Sequence, residues 1–335
     1  MGCTIKDIAK IAGVSHTTVS RALNNSSLIS DKTKAKIKKI ADEYGYVIDN
    51  IAKGLVLHKT FNIGVFFSTR DIGLTSNFFH EIIIGIQSVI KDEYNLIIRW
   101  IEDYDDNYSS VHDKKFDGVI IVSQSKNDDS FLSYIKKIKM PAVIINRNSS
   151  DLNLDSFFTN EKEIVKNAIE LFIKNGHRKI AVIKGKNSAI STEYRLNGYL
   201  DALKRNHINL CEEYIISGKY DIESGYAGMR SILKLADLPT AIFCFNDNMA
   251  IGAMRLLHER NYNVPKDFSV IGFDNTEYSK YTIPALTTID RPMGTIMIRG
   301  INRLLFKIEN KKQDLNLVAE CIKSTLITGS SVLKI

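Results

Sequence analysis

The sequence predicts an all-α N-terminal segment of three short helices followed by an α/β core with parallel sheets, and three observations predict it. Up to about residue 46 the apolar residues recur at helical spacing between caps and glycine stops, without a convincing strand. From Phe61 onward, short β-branched runs alternate with helical stretches. At 335 residues with 44% hydrophobic content, the chain exceeds one ordinary core, so several packed units are expected.

Thr4-Ile5-Lys6-Asp7 reads as a capping box that opens a helix with Ile5, Ile8, Ala9 and Ala12 on one face. Gly13 breaks it. A second helix is expected from about Ser15 to Asn24, burying Val19, Ala22 and Leu23. A third runs from a Ser30 cap to about Tyr44, burying Ile37, Ile40 and Ala41, and Gly45 stops it. Val47 to Lys59 reads as a tether or a small helix. The expected strands are 62–67, 95–100, 118–122, 142–145, 179–183, 214–216, 241–245 and 268–271, near-continuous apolar runs of the kind buried on both faces.

The net charge is +7, and it is unevenly placed: the first 60 residues hold ten Lys/Arg against five acids, leaving 35 against 33 in the rest. A positive head suggests a polyanion partner. Cys3, Cys211, Cys244 and Cys321 are far apart, so neither a zinc site nor a disulfide framework is expected, and a reducing compartment fits. Met1 to Ala12 already reads as a helix carrying Lys and Asp, not as a leader, and no apolar run approaches the roughly 18 residues of a membrane span. A cytoplasmic protein without membrane association is expected. The seven histidines are scattered, with no H-E-x-x-H, P-loop or G-x-S-x-G spacing, so no catalysis, metal or cofactor is expected.

Two helices around a Gly-containing turn, the second short and rich in small polar groups, match a helix-turn-helix reader of DNA. His16, Thr17 and Arg21 would then face base edges, while Ser15 and Thr18 hold phosphates. Arg21 is the most informative, because a guanidinium makes a bidentate contact to guanine O6 and N7. The run from Thr4 to Asn24, with its D-I-A-x-x-A-G-V-S-x-x-T-V-S-R spacing, resembles the N-terminal signature of the LacI/GalR family of bacterial transcription regulators. The resemblance extends over essentially the whole chain. It implies that His16 and Thr17 vary with operator choice, that Arg21 is the common base contact, and that Asn24 and Tyr46 assist at phosphates. Thr4 opens the same DNA-binding head.

The resemblance further implies a hinge helix at 47–60, folded when two subunits meet on DNA. Asn50-Ile51-Ala52-Lys53-Gly54-Leu55 matches it, with Ala52 at the DNA and Leu55 wedged into the minor groove. Ile48-Asp49 replaces the family's usual Pro-Asn pair. Residues 1–46 are expected as the DNA-binding domain and 61–335 as an effector-binding, dimerising core that is two-lobed and periplasmic-binding-protein-like. Its first lobe would span about 61–158 and 291–323, its second about 159–290 and 324–335. A homodimer on a pseudo-palindromic operator is expected, since no leucine-rich helix follows Ser330-Ser331.

In open α/β sheets ligands bind beyond the carboxyl ends of strands. Polar residues that directly follow apolar runs are Ser68, Ser123, Asn146 with Arg147, Asn246 with Asp247, and Asp274. Amides and carboxylates there suit a sugar or related polyol. Family motifs around Thr240–Ala250, Val270–Thr276 and Glu193–Gly198 imply that Asn246, Asp274 and Arg195 bind the effector, with Asn146 a further contact. Phe78 and Phe79 match an aromatic wall, and Tyr220 and Met293 fall at apolar contact positions. The expectation is a repressor of carbohydrate-utilisation genes under small-molecule control. Alternatives are a global carbon regulator answering to a phosphorylated carrier protein, a purine-responsive regulator, and a solute receptor, which the DNA-reading head opposes.

Overall fold

The computed structural model describes residues 3–23, 26–46, 59–70, 75–311, 313 and 315–335. These form two compact units, Met1–Thr60 and Phe61–Ile335.

In the first unit, α1 (Ile5–Ala12), α2 (His16–Leu23) and α3 (Asp31–Glu43) enclose Ile8, Ala9, Ala12, Val19, Ala22 and Ile37. The Thr4 cap is closed in both directions. Thr4 N–H and Oγ1 donate to Asp7 Oδ2 at 2.9 and 2.6 Å, and Asp7 N–H donates back to Thr4 Oγ1 at 3.4 Å. Gly13 ends α1 at φ 70°, a left-handed conformation that side chains with a Cβ rarely adopt, and this lets the chain turn sharply into α2. Ser15 caps α2 through Thr18 N–H at 3.1 Å, and Ser30 caps α3 through Thr33 N–H at 3.4 Å. Leu23 and Ile40, expected as core, are half-buried at its rim. Asn24 closes the expected second helix but lies outside the described residues.

The second unit has two parallel sheets. The first has order β11-β5-β4-β3-β1-β2, from β1 (Asn62–Phe67), β2 (Asn95–Trp100), β3 (Gly118–Val122), β4 (Ala142–Ile145), β5 (Ser156–Thr159) and β11 (Ala319–Ile322). One face packs on α4 (Ser76–Ile90) and α10 (Met293–Glu309) through Ile82, Ile86, Ile296 and Leu304. The other packs on α5 (Asp129–Lys137) through Phe131, Leu132 and Ile135. Coverage of both faces is why β3 and β4 are apolar at every position.

The second sheet has order β7-β6-β8-β9, from β6 (Ile180–Lys184), β7 (Ile215–Ser217), β8 (Ala241–Cys244) and β9 (Ser269–Ile271). It carries α6 (Glu161–Lys174), α7 (Ile190–Arg205), α8 (Ile222–Ile232) and α9 (Asp247–Glu259) around one core. The chain crosses between the sheets after β5, at β10 (Thr288–Asp290) and at β12 (Thr325–Ile327), and the last two pair antiparallel.

The first four expected strands coincide with β1 to β4. The later ones shift by a residue: Tyr214 and Phe268 precede their strands, and Phe245 follows β8 because Asn246 already caps α9. The strands β5, β10, β11 and β12 were not expected. They are three or four residues long, and β11 lies at a sheet edge with no fully buried residue, so none has the apolar run that marks the others.

Candidate functional site

On the first unit, Ser15, His16, Thr17 and Arg21 are exposed and Thr18 is half-buried. Thr17 and Arg21 are four residues apart and share one face of α2, opposite the buried Val19 and Ala22. That face bears a charged fork, an imidazole and a hydroxyl, enough to read base edges. Ser15 and Thr18 hydroxyls lie 2.9 Å apart at the helix start, where the positive end of the helix dipole favours a phosphate. Thr4 is spent on its cap, and Tyr46 packs against the helical core with its N–H on Ala41 O at 2.8 Å. Ala52 and Leu55, like Asn24, lie outside the described residues.

In the second unit the lobes touch at the carboxyl ends of their strands. Ile190 N–H donates to Gln124 O at 2.9 Å, and Lys126 pairs with Glu193 at 2.9 Å. Deeper in this cleft lie four charges, Arg195, Glu161 and Arg291 buried and Asp274 12% exposed. Arg195 is 2% exposed and grips Glu161 twice, Nε to Oε2 at 3.0 Å and Nη2 to Oε1 at 3.2 Å, while Nη1 donates to the Phe245 carbonyl. Its guanidinium lies 3.6 Å from the centroid of Phe273. Arg291 pairs with Asp274 at 2.9 Å, sits 3.9 Å from Glu161, donates to Asn146 Oδ1 at 3.3 Å, and covers the Phe78 ring at 4.5 Å.

Burial pushes the Asp274 carboxyl above the ordinary carboxylate range against the pull of Arg291 and Arg195. Glu81 of α4 is raised for the same reason, with Arg291 opposing and Asp274 adding. Asp247, fully buried, is pushed up to about 7 by desolvation even though Thr276 N–H (2.7 Å) and Thr288 Oγ1 (2.6 Å) donate to it. It ties the start of α9 to the crossing strand β10.

The structure brings together Arg195, Asp274, Asn146, Phe78 and Tyr220. Tyr220 is held at φ 69° with its hydroxyl 2.6 Å from Thr192, at a ring position that only a glycine at 185 leaves free. Asn246 adjoins them, but its amide is engaged: Nδ2 donates to Tyr220 O at 2.8 Å and Oδ1 accepts from Met249 N–H at 2.9 Å. Ser68 and Ser123 donate to buried Asp128 at 2.6 and 2.8 Å, joining the ends of β1 and β3. Phe79 packs on Phe67 at 5.4 Å, and Met293 is core between α10 and the first sheet.

Sequence reasoning missed Glu161, Arg291 and Glu81, and also Trp100 and Gln124, whose Nε1 and Oε1 are buried without a partner. Trp100, Gln124 and Arg291 each stand at or just past a strand end, a signal available for the first two. Arg291 follows β10, which had no apolar run to mark it. Among the described residues no cluster of His, Cys, Asp and Glu could hold a metal ion, and no helix is long and apolar enough to cross a membrane.

Residues 4–49 match the family model for bacterial regulatory proteins of the lacI family, and residues 169–332 match that for a periplasmic binding protein-like domain. The probable HTH-type transcriptional repressor ExuR of Bacillus subtilis (strain 168) is 44% identical over 302 residues, covering 90% of each chain. The HTH-type transcriptional repressor PurR of Vibrio vulnificus (strain CMCP6) is 32% identical over 316 residues, covering 93% of each. The solved lac repressor dimer, bound to operator and the anti-inducer ONPF, matches with a TM-score of 0.83 at 26% identity, over 99% of this chain and 100% of that one. With a helix-turn-helix head, a two-lobed core and relatives of this identity over nine-tenths of its length, the chain belongs to the LacI family of bacterial transcriptional regulators.

Proposed function

We propose that the protein is a cytoplasmic repressor of carbohydrate-utilisation genes that binds a pseudo-palindromic operator as a homodimer and is switched by a sugar or related polyol in the cleft. The observation that carries the DNA-binding part is the exposed face of α2, where Thr17 and Arg21 project with His16 beside them while the opposite face builds the core. Ser15 and Thr18, with Asn24 and Tyr46, are the proposed phosphate contacts, and Ala52 and Leu55 the minor-groove contacts of a hinge at 47–60. The crossings after β5 and at β10 and β12 make a hinge between lobes, so a ligand that prefers one lobe arrangement shifts the DNA-competent population. A relative 31% identical is a ribose operon repressor, which supports a sugar as the class of effector.

The test starts from a duplex enriched by the wild-type protein from a random-sequence library at fixed salt. Arg21→Ala is expected to weaken binding to that duplex by about 1–3 kcal/mol and to relax its sequence preference. Unchanged affinity would exclude base reading by α2. A thermal-shift screen against mono- and disaccharides, sugar phosphates and purines then identifies the effector class, and stabilisation by purines alone would overturn the sugar.

A further inference from the structure

Two buried polar atoms of the cleft have no hydrogen-bond partner, Asp274 Oδ1 and Arg291 Nε. They belong to one ion pair: Arg291 Nη2 is 2.9 Å from Asp274 Oδ1, close enough to attract but not aligned as a hydrogen bond. Native proteins seldom leave such atoms unsatisfied, and a charged group left over costs more than a neutral one.

The neighbouring Arg195 and Asn246 are already engaged. Arg195 spends Nε and Nη2 on Glu161 and Nη1 on the Phe245 carbonyl. Asn246 spends one end of its amide on the α9 cap and the other on Tyr220. Asp274 and Arg291 are instead facing groups that each keep a buried atom without a hydrogen bond, and Arg291 is 9% exposed and oriented by Phe78 beneath it. Arg291 also reaches both lobes, Asn146 and Phe78 in the first, Asp274 and Glu161 in the second.

We infer that Arg291 is an effector-contacting, specificity-determining residue: its Nε donates to one oxygen of a hydroxylated ligand whose adjacent hydroxyl donates to Asp274 Oδ1. This deepens the sugar-switch reading and rests on it. Two neighbouring oxygens on one ligand satisfy both atoms at once, which a ligand with isolated polar groups does not. The oxygen facing Arg291 is a hydroxyl in a neutral sugar or a carboxylate oxygen in a sugar acid, and the guanidinium fork accepts either. Because the same guanidinium spans the lobes, occupancy of Nε is coupled to their arrangement.

The experiment uses the full-length protein with D-ribose, D-galactose and D-galacturonate as probes, and hypoxanthine as a base without hydroxyls. Thermal shift and calorimetric Kd are read for wild type, Arg291→Gln and Arg291→Lys. Arg291→Lys keeps a positive charge opposite Asp274, so a folded variant is available even if the glutamine form is not. At least one sugar probe is expected to stabilise the wild type, with Kd rising about tenfold or more in both variants, the loss of one charge-assisted hydrogen bond. The ratio of the Kd values for D-galacturonate and the neutral sugars should also shift in both variants, which a general structural role would not produce. Selectivity for D-galacturonate assigns a carboxylate to the Arg291 side, and selectivity for a neutral sugar assigns a hydroxyl; both support the inference. Sugar affinity within about twofold of wild type in the two variants overturns the role of Arg291 alone. A wild type that answers only hypoxanthine, or no probe, overturns the sugar reading and the inference together.

Discussion

Removing Glu161 should be among the costliest single changes in the second unit. Its carboxylate is 4% exposed, accepts two hydrogen bonds from Arg195, and lies 3.9 Å from Arg291. At 3.0 Å and an effective dielectric of about 20, the Arg195 contact alone is worth about 5 kcal/mol of attraction before desolvation. Glu161→Leu leaves Arg195 buried with no carboxylate in hydrogen-bond contact, and the expected loss is about 3–5 kcal/mol, the usual penalty for breaking a buried pair from one side. Arg195→Met leaves Glu161 with a guanidinium still 3.9 Å away, so it should cost less. The double variant, which removes both charges and fills the space with apolar groups, should recover much of the loss. Urea denaturation of the four proteins gives the cycle directly. A Glu161→Leu cost below about 1 kcal/mol, or a double variant as unstable as the sum of the singles, would refute the idea that this buried pair is tightly coupled.

Two further outcomes follow from local geometry. Gly185→Ala would place a Cβ 2.0 Å from the Tyr220 ring, so the ring must leave its seat against Ser191 and Thr192; the expected cost is about 1–3 kcal/mol by thermal unfolding, and an unchanged melting temperature would mean the ring is not held there. Asp155 is buried and pushed upward by desolvation, but Arg303, the Val318 N–H and Lys307 outweigh this and hold its carboxyl below the ordinary aspartate value. A depressed folded-state pKa adds stability that is present above the unfolded value and lost as pH falls through the folded one. The melting-temperature advantage of wild type over Asp155→Asn should therefore be constant near neutrality and shrink below about pH 4; an advantage that persists unchanged to lower pH would argue against the ion pairs.

Strands buried on both faces leave a mark that a sequence shows plainly, and β1, β3 and β4 are therefore readable to the residue, whereas β2, an edge strand with no fully buried residue, is marked by the apolar run Leu96-Ile97-Ile98. The short strands are not, because β5 and β11 gain their place from pairing with each other and β10 and β12 from closing the crossing, which are long-range events. The same limit governs the cleft. A polar residue after an apolar run identifies Asn146, Asn246 and Asp274 as strand-end groups, yet it does not show that Asn246 caps α9 while Asp274 keeps an oxygen without a hydrogen bond. Glu161 opens a helix in the manner of many surface acids, and only the fold places Arg195, 34 residues on, against it. The head was more legible because its contacts are local: the Thr4, Ser15 and Ser30 caps each act within three residues.

Four charges in the cleft, three of them buried, are poorly explained by stability, since well-packed apolar residues of similar volume would often hold such a site at least as firmly. Their use lies in directionality. Apolar packing between lobes changes gradually as they move, whereas hydrogen bonds to charged groups weaken steeply with angle and distance. A switch between two lobe arrangements requires a ligand to prefer one of them by about 1–3 kcal/mol. A single hydrogen bond to a charged group is worth about 1.5–3 kcal/mol. A ligand that completes Arg291 Nε and Asp274 Oδ1 in only one arrangement would therefore supply the whole preference from the two atoms that the protein leaves without a hydrogen bond. The rest of the cluster, with Arg195 fixed by Glu161 and Asn246 by the α9 cap, then serves to hold those two atoms in place.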